Sequence, residues 1–256
     1  MVAAYRREAI LGLAKEGTEL SVDDIAKRFG VSRETVRRDL THLEARGLVR
    51  RVHGGALPAQ TGWEAAFRDR LVSNSEAKQR IARRAATLFR ENDTLMIDTG
   101  TTTMILAAEL SNAPRMTVIT NCFGVASRLA AGVSSHRIHV IGGDFRAESQ
   151  QTLGSACLEQ ISRYRADHAV LSCGAVDPMG GLMDFDFEDA MVARAMIDQS
   201  QQVTMIIDHS KFDRVAMAKI CDLDTVDRII TDAPPPSRLV EAVESKNVEV
   251  IIASDN

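Results

Sequence analysis

Apolar residues recur at helical spacing three times within the first 45 positions, and residues that start or stop helices bound each run. Over 3–14, Ile10, Leu11 and Leu13 sit among Arg6, Arg7 and Glu8, which predicts an amphipathic helix ending near Gly17. Ser21, followed three positions later by Asp24, makes a capping-box-like start. Val22, Ile25 and Phe29 then keep helical spacing as far as Gly30. Gly30 and Val31 form a short turn, Ser32 is a good N-cap, and Val36, Leu40 and Leu43 mark the buried stripe of a third helix. The pattern is helix-turn-helix. Beyond Gly47 the stretch 48–52 reads as a short strand, and Gly54-Gly55 permits the tight turn of a wing.

Periodicity then lapses. The segment 58–74 holds Pro58, Gly62 and the only tryptophan, Trp63, and reads as a linker. A helix is predicted over 76–90, with Ile81, Ala85 and Leu88 on one face. Short apolar runs follow at 94–98, 116–120, 137–141, 168–172, 203–207, 228–231 and 248–252, alternating with helical patterns. That rhythm predicts a mostly parallel α/β sheet covered on both faces. The division is therefore a winged helix-turn-helix domain over 1–57, a linker over 58–74 and an α/β domain over 75–256.

Composition supports two cores and adds an asymmetry. At 256 residues and 45% hydrophobic content the chain exceeds one typical domain. Its net charge of −4 argues against a wholly basic nucleic-acid protein, yet residues 1–56 carry 11 Lys/Arg against 8 Asp/Glu, and the remainder 20 against 27. The head is basic and the body acidic. Cys122, Cys157, Cys173 and Cys221 are far apart, without metal-ligand spacing, and read as reduced core thiols. No metal or cofactor is expected. The chain shows neither a signal-peptide stretch nor a membrane-length apolar run, so a cytoplasmic protein without membrane contact is expected.

On the third helix the buried stripe leaves Glu34, Thr35, Arg38 and His42 pointing away, with Arg37 on the flank. Arginine can bind guanine edges bidentately in the major groove, whereas Thr, Ser and helix-terminal amides more often hold phosphates. Ser32 and Arg33 open the same helix. Arg50, Arg51 and His53 on the wing are placed to approach the phosphate backbone. The plainer alternative is a solvated, arginine-bearing helix face.

In a parallel sheet, ligands sit beyond the carboxyl ends of the strands. The first such loop, Asp98-Thr99-Gly100-Thr101-Thr102-Thr103, combines a glycine that allows close approach with hydroxyls and helix-terminal amides, the makings of an anion site. An ordinary capped helix start is the alternative. Other strand ends carry Asn121, Gly142-Gly143, Gly174 and Lys211, whose ammonium suits a phosphate.

Two segments go further than spacing. Ser32-Arg33-Glu34-Thr35-Val36-Arg37-Arg38-Asp39-Leu40, with Arg51-Val52-His53-Gly54-Gly55-Ala56, resembles the DeoR family of bacterial regulators. The body resembles the sensor domain of the same family, which is related in fold to isomerases of five-carbon sugar phosphates. The resemblance implies a phosphate loop of Asp98, Gly100, Thr101 and Thr102, with Asn121, Gly142, Gly143, Gly174 and Lys211 lining the same site. The stretches 184–186, 208–212 and 231–236 are most similar to the glycerol-3-phosphate branch, and Asp184 is assigned to hydroxyl recognition.

The function so implied is repression of a carbohydrate or polyol operon. Operator DNA would be released by a phosphorylated sugar or polyol resembling glycerol 3-phosphate, and a homo-oligomer, dimer or tetramer, would match a palindromic operator. Two rivals remain. A sugar-phosphate isomerase needs a positioned base. Gly174-Ala175-Val176-Asp177 and then Asp184-Phe185-Asp186 lack the second acid and the lysine of the isomerases, so no enzyme is expected. A DNA-architectural protein without a ligand would leave the strand-end residues without a purpose.

Overall fold

The computed structural model describes residues 3–15, 20–45, 49–52, 55–58 and 64–254, in two compact units, Met1–Ser73 and Asn74–Asn256. The first unit begins with α1 (Ala3–Lys15), the two-residue β1 (Leu20–Ser21), α2 (Val22–Phe29) and α3 (Arg33–Ala45). Ser21 caps α2 as expected: its Oγ accepts the Asp24 amide at 3.0 Å and donates to the Asp24 carboxylate at 2.7 Å. Gly30 ends α2 at φ 63°, a left-handed turn that glycine enters without a Cβ penalty. Ile10, Ile25, Val36, Leu40, Leu43 and Val49 close a small core.

The wing is a hairpin of β2 (Val49–Val52) and β3 (Gly55–Pro58), in register from Val49 opposite Pro58 to Val52 opposite Gly55. β3 also pairs with β1, so the wing is stitched to the residues that cap α2. The stretch expected as a linker carries regular structure at both its described parts. Pro58 closes β3, and Phe67–Val72 form a short helix, α4. A buried Phe67 anchors it, Arg70 lies over that ring at 5.2 Å, and Arg70 also pairs with Glu64 at 3.0 Å. Six residues are too few for periodicity to announce a helix.

The second unit opens with α5 (Ser75–Ala86) and continues β4 (Thr94–Ile97), α6 (Thr101–Leu110), β5 (Thr117–Thr120), α7 (Phe123–Ala130) and β6 (Arg137–Val140). A hairpin of β7 (Asp144–Arg146) and β8 (Gln151–Leu153) precedes α8 (Ser155–Ile161) and β9 (Ala166–Leu171). Then come β10 (Ala175–Asp177), β11 (Gly181–Asp184), α9 (Phe187–Asp198), β12 (Ser200–Ile206), β13 (Ala218–Cys221), β14 (Arg228–Thr231), α10 (Ser237–Ser245) and β15 (Glu249–Ile252).

Seven of these strands form one parallel sheet, in the order β15-β14-β12-β9-β4-β5-β6. Its central strands are buried and mostly apolar toward their carboxyl ends, as at Leu95-Met96-Ile97, Ala169-Val170-Leu171 and 203–206, the pattern expected where crossover helices cover a parallel sheet. The β7–β8 hairpin and a small antiparallel sheet, β10-β11-β13, sit apart from it, and neither was legible as a strand pattern. Among the described residues no helix is long and apolar enough to cross a membrane.

Candidate DNA interface and effector site

Helix α3 presents one buried edge and one polar face. Val36, Leu40 and Leu43 are buried, while Glu34, Arg37, Arg38 and His42 are exposed and Thr35 half-buried. Ser32 is committed to capping, since its Oγ accepts the Thr35 amide at 3.1 Å and meets the Thr35 hydroxyl at 2.9 Å. Arg33 pairs with Asp23 at 2.6 Å, tying the start of α3 to α2. Arg37 lies 4.0 Å from Glu34 on the next turn. The backbone of Arg50 and Arg51 lies in β2; their side chains, and all of His53, fall outside the described residues.

Asp39 is the head residue that periodicity missed. Buried, it accepts the Nε–H groups of Arg6 at 2.5 Å and Arg7 at 2.8 Å. Burial raises its carboxyl pKa, but the two guanidiniums outweigh burial and hold it below the ordinary value. Part of the head's positive charge is thus spent internally.

In the second unit, adjacent strands β12, β9, β4, β5 and β6 deliver their carboxyl ends side by side. Asp98 follows β4; it is buried, and both carboxylate oxygens lie 3.3 Å from the Ser172 amide beyond β9. Burial, then the charges of Asp184 and Asp189, raise its pKa well above the usual carboxylate range despite that amide. Gly100 caps α6 with an extended backbone. A Cβ there would press on Ser172 Cβ at 3.2 Å and Thr103 Oγ1 at 3.1 Å. Thr101 and Thr102 are buried in the first turn of α6, and Thr103 is a local brace whose hydroxyl meets the carbonyls of Asp98 and Gly100.

Asn121, at the end of β5, is fully buried. Its Nδ2 donates to the Thr152 carbonyl at 2.9 Å, which fixes the amide's orientation, and its Oδ1 has no partner among the described residues. Gly143 has a packing reason that requires no ligand. The Gly142 amide donates to Gln160 at 3.1 Å, and at φ 148° a Cβ on Gly143 would lie 2.4 Å from the Leu153 carbonyl oxygen. Gly174 lies against Phe185, whose ring a Cβ would meet at 2.6 Å. Asp184 accepts the Phe185 amide at 2.7 Å. Lys211 is 9% exposed, in a 3-10 turn after β12.

Four further residues belong with this set. Gln151 bridges Asn121 and Asp189, at 3.4 and 2.9 Å, and Arg146 reaches Asp186 at 2.8 Å, Glu188 at 2.9 Å and Asp189 at 3.5 Å. Burial, then Asp184 and Asp186, push the Asp189 carboxyl up to about 7 against the pull of Arg146 and Gln151. Lys78, on α5, is 3% exposed. The remaining carboxylates have structural tasks: Asp177 accepts two turn amides, and Asp186 caps α9. Among the described residues no group of His, Cys, Asp and Glu is arranged to hold a metal ion.

A winged helix-turn-helix joined to an α/β unit with buried polar groups along one sheet edge defines a DNA-binding transcriptional regulator with a sensor domain. Residues 6–61 match the DeoR-like helix-turn-helix domain and residues 73–233 the DeoR C terminal sensor domain; the chain belongs to the DeoR family. It is 34% identical to the glycerol-3-phosphate regulon repressor of Escherichia coli (strain K12), covering 98% of this chain and 99% of that protein. With the transcriptional repressor GlcR of Bacillus subtilis (strain 168) it shares 32% identity, over 100% of this chain and 98% of the relative. A solved ribose 5-phosphate isomerase A from Methanocaldococcus jannaschii overlaps 55% of each chain at 15% identity and a TM-score of 0.41, too loose a likeness to inform the site. Its family makes the protein a DNA-binding transcriptional regulator rather than an enzyme.

Proposed function

We propose that this regulator is a repressor of a sugar or polyol operon. In this reading a phosphorylated sugar or polyol, of the glycerol 3-phosphate kind, binds at the carboxyl ends of β4, β5, β9 and β12 and releases the head from operator DNA. The observation that carries it is the pairing, on one sheet edge, of a buried lysine, Lys211, with a glycine-capped helix start bearing buried Thr101 and Thr102. An ammonium, hydroxyls and helix-terminal amides together suit a phosphate. Asn121, whose Oδ1 has no partner among the described residues, and Asp184 are acceptors for ligand hydroxyls. The names of the relatives support the ligand class.

The repressor works as a cytoplasmic homo-oligomer whose two-fold pairing matches a palindromic operator. A thermal-shift screen of phosphorylated polyols and sugars tests the ligand. At about 100 times its dissociation constant, a binder adds roughly 2.7 kcal/mol of stability. No shift with any phosphorylated compound, and no effect on DNA affinity, would leave an architectural DNA-binding protein instead.

A further inference from the structure

Asn74 is the first residue of the second unit, and its backbone is left-handed, at φ 53° and ψ 32°. Few L residues hold that conformation unless their surroundings enforce it, although asparagine tolerates it better than most. Here the restraint is visible. Asn74 Nδ2 donates to Asp208 Oδ1 at 2.9 Å, across 134 positions of sequence. The same oxygen accepts the Ser210 amide at 3.0 Å, which closes the turn carrying Lys211.

Asp208 is 2% exposed and lies in the field of two buried lysines, Lys211 and Lys78. Burial pushes its carboxyl up, but the Lys211 charge, the Ser210 hydrogen bonds and the Lys78 charge prevail and hold it below the ordinary value. One buried, ionised carboxylate is therefore shared between the residue at which the sensor begins and the lysine assigned to the effector's phosphate.

We propose that Asn74 is a positioning residue for effector control of DNA binding. A phosphate at Lys211 competes with Asp208 for the lysine's charge, Asp208 shifts, and the Asn74 tether is broken. The inference rests on the effector reading above. Coupling between two sites needs an element with two arrangements that both ligands bias. Asn74 supplies one: tethered, it is held left-handed; untethered, it relaxes to an ordinary backbone and redirects the chain entering α5.

The test uses the full-length protein with Asn74→Ala and Asn74→Gly. Glycine keeps the left-handed backbone without the tether, whereas alanine loses both. The probes are glycerol 3-phosphate, ribose 5-phosphate and fructose 6-phosphate, with a duplex enriched from a random library by the wild-type protein. Calorimetry gives effector affinity, and fluorescence anisotropy gives DNA affinity with and without effector. Without the tether both variants start in the released arrangement, so they are expected to bind effector at least as well as wild type but duplex at least about tenfold more weakly before any effector is added, a typical coupling size, and to weaken little further when it is. Wild-type duplex affinity without effector in both variants would overturn the proposal. Weakened duplex binding in the alanine variant alone would overturn the tether, and weaker effector binding in both would make Asn74 a ligand residue instead. If no probe binds the wild type, the effector reading fails first, and this inference with it.

Discussion

Arg6 donates its Nε–H to Asp39 at 2.5 Å, and this buried bond fastens the first helix of the head to the third. The core beside it has six buried apolar residues among the described ones, so a buried ion pair is a large share of what holds the head together. Asp39→Ala removes the carboxylate that Arg6 and Arg7 share, so the head is expected to lose stability, by as much as about 3–5 kcal/mol, the cost of removing one partner of a buried pair. The pH dependence has a definite sign. Because the folded pKa lies below the unfolded value of about 3.9, the stabilisation is fully present above that value and is lost as pH falls through the folded pKa. Circular dichroism melts of both proteins across the acid range check this, and equal melting temperatures at neutral pH would rule it out.

Arg38 is exposed on the face of α3 opposite Val36, Leu40 and Leu43. Arg38→Ala should leave the fold intact and weaken operator binding by about 1–3 kcal/mol, the loss of one base contact. Arg51→Ala, on the wing strand, should instead weaken binding to all sequences alike and lower the salt slope by about 1. Gel shifts over a salt series separate the two, and wild-type affinity in both would remove the helix-and-wing docking.

Thr101→Val keeps side-chain shape and removes one hydroxyl from the buried start of α6. A phosphate that loses one charge-assisted hydrogen bond should bind more weakly by about 1.5–3 kcal/mol. Effector affinity then falls roughly ten- to hundredfold. Lys211→Met should act similarly by removing the opposing charge. Both variants should hold operator DNA as wild type does and resist effector. Normal release in both would place the ligand elsewhere.

Asp189, raised to about 7 by burial and by Asp184 and Asp186, carries the opposite pH signature to Asp39. Its proton is bound in the folded state while the unfolded side chain ionises near 3.9, so the contribution is fully present below that value and lost as pH rises through about 7. Asp189→Asn should flatten the fall in melting temperature between about pH 4 and pH 7. An unchanged slope would mean that another group titrates there.

How much could be read beforehand depended on how local each feature is. The seven strands of the parallel sheet were legible from short apolar runs, continuous at Leu95-Met96-Ile97 and broken by His139 in β6. β12 was read short because Gln201 and Gln202 are exposed. The strands β7, β8, β10, β11 and β13 are only three or four residues long and take their shape from antiparallel partners, which no local pattern announces. The Arg6–Asp39 and Arg146–Asp189 pairs span 33 and 43 positions, so nothing in either neighbourhood pointed to the other. Gly142 and Gly143 follow a strand, where ligand contacts are expected; the Leu153 carbonyl gives Gly143 a packing reason as well, whereas a Cβ on Gly142 would meet only the far end of Gln160 at 3.3 Å.

The strand order has a consequence for how the chain is made. β4 lies mid-sheet between β5 and β9, with Leu95 opposite Val118 on one side and His168 on the other. The first neighbour follows within one crossover, but the second is encoded 73 residues downstream, the interval from Leu95 to His168. At roughly 5–20 residues per second of synthesis, that flank of β4 stays unpaired for several seconds after it leaves the ribosome. The head has no such wait, since its latest strand pairing ends at Pro58. The regulator therefore emerges with its DNA-binding end able to close first, while the sensor must be kept from pairing with strangers until β9 arrives.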